Sequence, residues 1–208
     1  MAWCFTTEQL WTYGGRLNQE LPDRADGLAL LESWVENEGL RKHMLAVEAA
    51  LRHYARMFDE DEELWGQSGL LHDLDWEKHP DEHPNRAVAE LEGRHYPRQL
   101  IRAIQAHAPD RTGVEPESRL DKVLFACDEL AGLVHACCLV RPNGIDDLSP
   151  KSVTKKLRDK AFAAGVNRDD VARGVELMEM ERAEHIQNVI DGMRAVGATL
   201  GIRGEDRS

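Results

Sequence analysis

Apolar residues in this chain recur at three- and four-residue steps along most of its length, and no stretch alternates with a period of two. That pattern predicts helices almost throughout. Thr7 to Leu17 reads as a short helix ending before Pro22-Asp23, and a second starts near Asp26 with Leu28, Leu31 and Val35 at helical spacing. The third is the clearest. His43, Val47, Ala50, Leu51, Tyr54 and Met57 form a stripe, with Arg41, Glu48, Arg52 and Arg56 on other faces. Asp59, with Glu62 three residues on, has the spacing of a capping box and opens a helix that ends at His72.

Asp73 to Pro84 is polar and punctuated by prolines, so it reads as a loop. Pro84 suits the first position of a helix running to about Arg94. Pro97 does the same for a helix reaching His107, which Pro109 and Gly113 terminate. Ser118 to Val140 is the most apolar helix, and Arg141-Pro142-Asn143-Gly144 breaks it. Ser149-Pro150 begins another, Gly165-Val166-Asn167 ends it, and Asn167 caps a last helical region reaching about Val196. With no internal repeat, low-complexity tract or linker, the expectation is an all-α fold in one compact domain over residues 1–208.

Composition narrows the class. A hydrophobic share of 42% with 31% charged residues is that of an ordinary globular chain. A formal charge of -12 argues against nucleic acid as a partner, although a local basic patch can still receive a small anion. No apolar run reaches the roughly 18 residues of a membrane span. Met1 to Glu8 lacks a basic, then apolar, leader, so the expected setting is cytoplasmic. Cys4, Cys127, Cys137 and Cys138 show no Cys-x-x-Cys spacing and read as buried free thiols.

The chemistry concentrates in His72-Asp73. Two strong metal ligands stand side by side where the apolar helix Leu64 to Leu71 runs out. Polar groups there are costly unless something pairs with them. His43 and Asp128 lie inside other apolar helical patterns, Asp128 on a face that continues through Ala131 and Gly132 to His135. Alone, each could be a core histidine on a backbone carbonyl or an aspartate beside an arginine. Together they point to a divalent cation. Imidazole and carboxylate suit manganese, iron, cobalt, nickel or zinc more than magnesium.

His43, His72-Asp73 and Asp128, with Gly69-Leu70-Leu71 ahead of the doublet, resemble the H…HD…D signature of the HD-domain phosphohydrolase superfamily. The resemblance runs from about Leu40 to Val140. It implies a helical HD bundle over about 40–140, extra N-terminal helices and a helical extension over about 149–200. It also implies hydrolysis of a phosphomonoester or phosphoanhydride, above all of a nucleotide, by metal-activated water. His43, His72, Asp73 and Asp128 would be the ligands, and Asp73 would also orient the water.

In subfamilies holding two metals, among them symmetrical diadenosine-tetraphosphate hydrolases and cyclic-di-nucleotide phosphodiesterases, extra histidines arise where His83 and His107 stand. One or two ions are therefore implied. Without a second ion, His83 would be an exposed loop residue and His107 a histidine favoured by a helix C-terminus. Several relatives carry Ile-Gly-Lys after the doublet. Here Leu74-Asp75-Trp76-Glu77-Lys78 follows it, with Lys78 the displaced lysine and Asp75 and Glu77 either bases behind the ligands or loop charges. His79 reads as solvated, and His53, His95 and His135 as structural or surface residues.

For phosphate, Lys151, Lys155 and Arg158 share a helical stripe within a basic segment that also holds Lys156 and Lys160. Arg111 is the competing contact. The expected partner is a small phosphorylated substrate, with neither nucleic acid nor membrane, and a homodimer through the last helices is compatible. Two other readings are a di-iron oxygenase, since a few HD proteins cleave C–C or C–P bonds, and a non-catalytic HD domain that binds a ligand. Loss of ligands usually marks the latter, and all four are present here.

Overall fold

The computed structural model describes residues 20–204; the helix expected over 7–17 and Cys4 lie outside them. Among the described residues there are eleven helices and no strand, so the fold is all-α. The first six are α1 Arg24–Trp34, α2 Glu38–Phe58, α3 Glu62–Leu71, α4 Asn85–Gly93, α5 Arg98–Ala106 and the short α6 Pro109–Thr112. Then come α7 Arg119–Leu139, α8 Pro150–Leu157, α9 Arg168–Leu177, α10 Arg182–Ala195 and α11 Gly197–Leu200. One isolated antiparallel bridge joins Gly144 to Arg203. Among the described residues no helix is long and apolar enough to cross a membrane.

Side-chain caps fix several starts. Asp23 accepts from the Asp26 amide at 3.1 Å, so α1 begins two residues ahead of the expected Asp26. Asn37 accepts from the Leu40 amide at 3.0 Å to open α2, and Ser118 and Asp121 form a reciprocal capping box on α7. The box expected at Asp59 is not made. Asp59 sits at φ 55° as the left-handed C-cap of α2, and Asp61 caps α3 through the Glu63 and Leu64 amides. Pro84 and Pro97 stand at N-cap positions rather than first helical ones. Pro109 opens α6 instead of only stopping α5, and Gly113, at φ 71°, closes it.

The C-terminal boundaries also differ from expectation. α8 stops at Leu157 rather than near Gly165, and the last region is divided into α9, α10 and α11. Glu179, at φ 50°, interrupts it between α9 and α10.

α2 is the central element, packed by α3, α7 and α10. Its Val47, Ala50, Leu51 and Tyr54 are fully buried, but Met57 lies 45% exposed, off the expected face. Glu48, expected outside, is buried because Arg24 and Arg52 both pair with its carboxylate, at 2.6 and 2.9 Å. Small residues let neighbouring helices close in. A Cβ on Gly69 of α3 would stand 2.8 Å from the Glu48 amide nitrogen, and one on Gly192 of α10 would stand 2.8 Å from the Ala49 carbonyl oxygen. The Gly69 approach sets the end of α3 beside the third turn of α2. His185 of α10, fully buried, bridges the Tyr54 hydroxyl at 2.6 Å and the Ala126 carbonyl at 3.1 Å, joining α10 to α2 and α7. Cys127, Cys137 and Cys138 are buried, as expected, and the first two are free thiols.

Candidate metal centre

Two helix interiors, two helix C-termini and the segment between α3 and α4 bring six side chains together. His43 comes from α2, His72 caps the C-terminus of α3, Asp73 follows it, and Asp128 lies midway along α7. His43 Nε2 stands 3.2 Å from His72 Nε2, 3.0 Å from Asp128 Oδ1 and 3.7 Å from Asp73 Oδ2. His72 Nε2 is 3.4 Å from Asp128 Oδ1 and 3.5 Å from Asp73 Oδ2. On the other side of Asp73, its Oδ1 lies 3.5 Å from His83 Nε2 and 3.7 Å from His107 Nε2. The two imidazole nitrogens of His83 and His107 are 3.1 Å apart. Asp73 thus offers one oxygen to each group.

These groups fit a pair of cations. Atoms each about 2.0–2.2 Å from one ion stand roughly 3–3.5 Å from one another, which is the spacing found. Protons make the stronger case. His72 Nδ1 donates to the Gly69 carbonyl at 2.8 Å, and His107 Nδ1 to the Ile104 carbonyl at 2.5 Å. His83 Nδ1 donates to Asp75 Oδ1 at 2.7 Å. Carbonyl and carboxylate oxygens only accept, so each ring keeps its proton on Nδ1 and turns Nε2, the atom a cation would take, inward. The second group sets two Nε2 atoms and a carboxylate oxygen face to face, and with both rings neutral no donor stands among them. Such an arrangement repels itself unless a cation stands between.

Electrostatics agree. Burial disfavours a charged His72, yet Asp73 and Asp128 outweigh it and raise its pKa to about 9. Burial opposes ionisation of both aspartates as well. His72 and its neighbouring imidazoles still hold Asp73 and Asp128 well below the usual carboxylate range. The first group therefore carries permanent negative charge and, with no metal, keeps a proton that a cation can displace.

A cavity of about 510 Å³ opens over both groups. It reaches Trp76, Asp110, Arg111, Glu129, Asn167 and Asp170 beyond the ligands themselves. Arg111 is anchored there: Nη1 donates to the Pro80 carbonyl at 2.6 Å, and the guanidinium lies 5.3 Å over the Trp76 ring. Burial, then the charge of Asp128, pushes Glu129 up to about 7 while its carboxylate accepts from the Asn167 amide at 3.0 Å.

The remaining candidates sit elsewhere. Lys78 reaches the Ser33 carbonyl at 3.3 Å and does not line this cavity. Lys151 is exposed, and neither it, Lys155 nor Arg158 lines the cavity; Lys155 borders a pocket with Arg141 and Ser152, Arg158 one with Arg168 and Arg182. Sequence reasoning missed the cavity's outer wall. Trp76, Glu129 and Asp170 carry no ligand-type spacing, although the adjacency of Glu129 to Asp128 was visible. Asp75, left open between two roles, is fully buried behind His83 and also accepts from the Ala87 amide at 2.9 Å. Glu77 instead accepts from the Glu36 and Asn37 amides, which ties it to the start of α2.

Fold and site together define a helical protein built around a histidine–aspartate cluster able to hold metal. Residues 40–133, the stretch that carries all six side chains, match the family model described as the HD domain. That superfamily consists mostly of metal-dependent hydrolases. No curated protein and no solved structure matches the chain.

Proposed function

We propose that this protein is a metal-dependent phosphohydrolase that releases phosphate from a small phosphomonoester or phosphoanhydride, above all a nucleotide. One divalent transition metal would be held by His43, His72, Asp73 and Asp128, and a second by Asp73, His83 and His107. The carrying observation is Asp73, whose two oxygens face the two histidine sets at 3.5–3.7 Å. Bound ions would bring water toward ionisation at neutral pH and neutralise phosphoryl charge.

The chain's own groups supply the rest. His72, His83 and His107 are locked in the tautomer that ligation needs. Arg111 is pre-positioned on Trp76 and beside His83, whose carbonyl its Nη1 meets at 3.4 Å. Its Nε and Nη2 have no hydrogen-bond partner among the described residues and would be available to grip a phosphoryl oxygen.

Metal analysis of protein reconstituted with manganese tests the reading. Two ions per chain are expected, with the first lost in His72→Ala and Asp128→Ala, and phosphate release from a nucleotide panel lost alongside. A wild-type protein that takes up neither manganese, iron, cobalt, nickel nor zinc, or that releases no phosphate when loaded with them, would overturn it.

A further inference from the structure

Beyond the ligands, the charged lining of the cavity is lopsided. Asp110 of α6, Glu129 of α7 and Asp170 of α9 face it, against Arg111 alone. Nearby cations are committed elsewhere. Arg173 pairs with Glu115, and Arg168 donates to the carbonyls of Phe162, Ala163 and Val166. The basic stripe of α8, which could have received further phosphates, lines other pockets or none. Leu40, Trp76 and Phe125 make other parts of the wall apolar, and the Trp76 indole is 41% exposed.

We infer that this cavity selects substrates carrying one phosphoryl group, on an uncharged and partly apolar remainder, over polyphosphates. The inference rests on the phosphohydrolase reading. With the five carboxylates of the cavity ionised, two divalent ions and Arg111 would do no more than balance them, leaving no surplus of positive charge for a longer anion. The first phosphoryl group would be held by the ions. Arg111, tied to the carbonyl of His83, serves that same group rather than one farther out. Any further phosphate extends toward Asp110, Glu129 or Asp170, and like charges brought together in a partly desolvated cleft select against that binding mode.

Two measurements on manganese-loaded protein test this, each with excess manganese. Calorimetric titration compares inorganic phosphate with tripolyphosphate, and phosphate release compares adenosine 5′-monophosphate with the triphosphate. At least a tenfold preference for the singly phosphorylated probe is expected in both. The Glu129→Gln/Asp170→Asn protein should narrow that ratio severalfold by improving the polyphosphate arm. Asp110→Asn, at an exposed position where folding is not at stake, should act in the same direction. Equal handling of both probes, or a ratio unmoved by these substitutions, overturns the selectivity while leaving the hydrolase intact. Two bound ions with neither probe bound nor cleaved removes the hydrolase reading and this inference together.

Discussion

Asp75 shows how much of a candidate metal site lies behind the side chains that would ligate the ion. One of its oxygens takes the Nδ1 proton of His83 at 2.7 Å and the other takes the Ala87 amide of α4 at 2.9 Å, with the side chain wholly buried. Asp75→Ala strands two buried donors, each costing about 1–3 kcal/mol. It also frees the His83 ring, and loss of such a partner typically weakens metal binding about 10–100-fold. The expected result is a protein that loads its first ion normally and its second only at much higher metal concentration. Stoichiometry measured over a manganese titration reads this directly; unchanged uptake of both ions would mean that Asp75 has no such role. The sequence made His43, His72, Asp73 and Asp128 legible because each interrupts an apolar pattern. Asp75 stands among charges that look alike in sequence, and only burial separates it from its solvated neighbours. The same blindness hid Glu48, whose two arginine partners come from α1 and from one turn further along α2.

At the scale of elements, Gly69 links packing to chemistry. It lets α3 lie on the α2 backbone around Val47 and Glu48, and its carbonyl holds the His72 ring. A methyl group at this position would meet backbone atoms at 2.8–2.9 Å, which cannot rotate away. Gly69→Ala should therefore destabilise the apo-protein by about 1–3 kcal/mol and weaken the first metal site by shifting His72 from His43. Gly93→Ala, where a Cβ meets nothing within 4 Å, is the control and should leave both thermal unfolding and metal affinity intact or slightly improved. Comparable losses in the two variants would point to a general intolerance of alanine rather than to helix approach. The helices themselves were readable from their periodicity, but their ends were less so. Asp59 and Asp61 are equally good caps on paper, and the choice fell to Asp61 once Asp59 had closed α2 in the left-handed conformation. The breaks after Leu157 and Leu177 had no proline to announce them.

For the whole molecule, stability and metal uptake share one set of protons. In the apo-protein, His72 is raised to about 9 because Asp73 and Asp128 outweigh the burial that opposes its charge. A raised histidine contributes stability that is fully present below its unfolded value of about 6.5 and lost as pH climbs through about 9. His185 runs the other way. Burial lowers its pKa, so its contribution is present above about 6.5 and lost as pH falls through the lowered folded value. Asp73 and Asp128, also lowered, add to the acid side once pH drops below about 3.8. The metal-free protein should thus lose stability toward both acid and alkali, its alkaline decline set by His72. An ion at the first site takes the place of the His72 proton, so the metal-loaded protein should keep its melting temperature between about pH 7 and 9 while the apo-protein declines. The same exchange means that loading the first site at pH 7 should expel about one proton per ion. Calorimetry in two buffers of different ionisation enthalpy measures that number. A value near zero would show that His72 enters the site already neutral, and the alkaline limb of the apo-protein should then vanish with it.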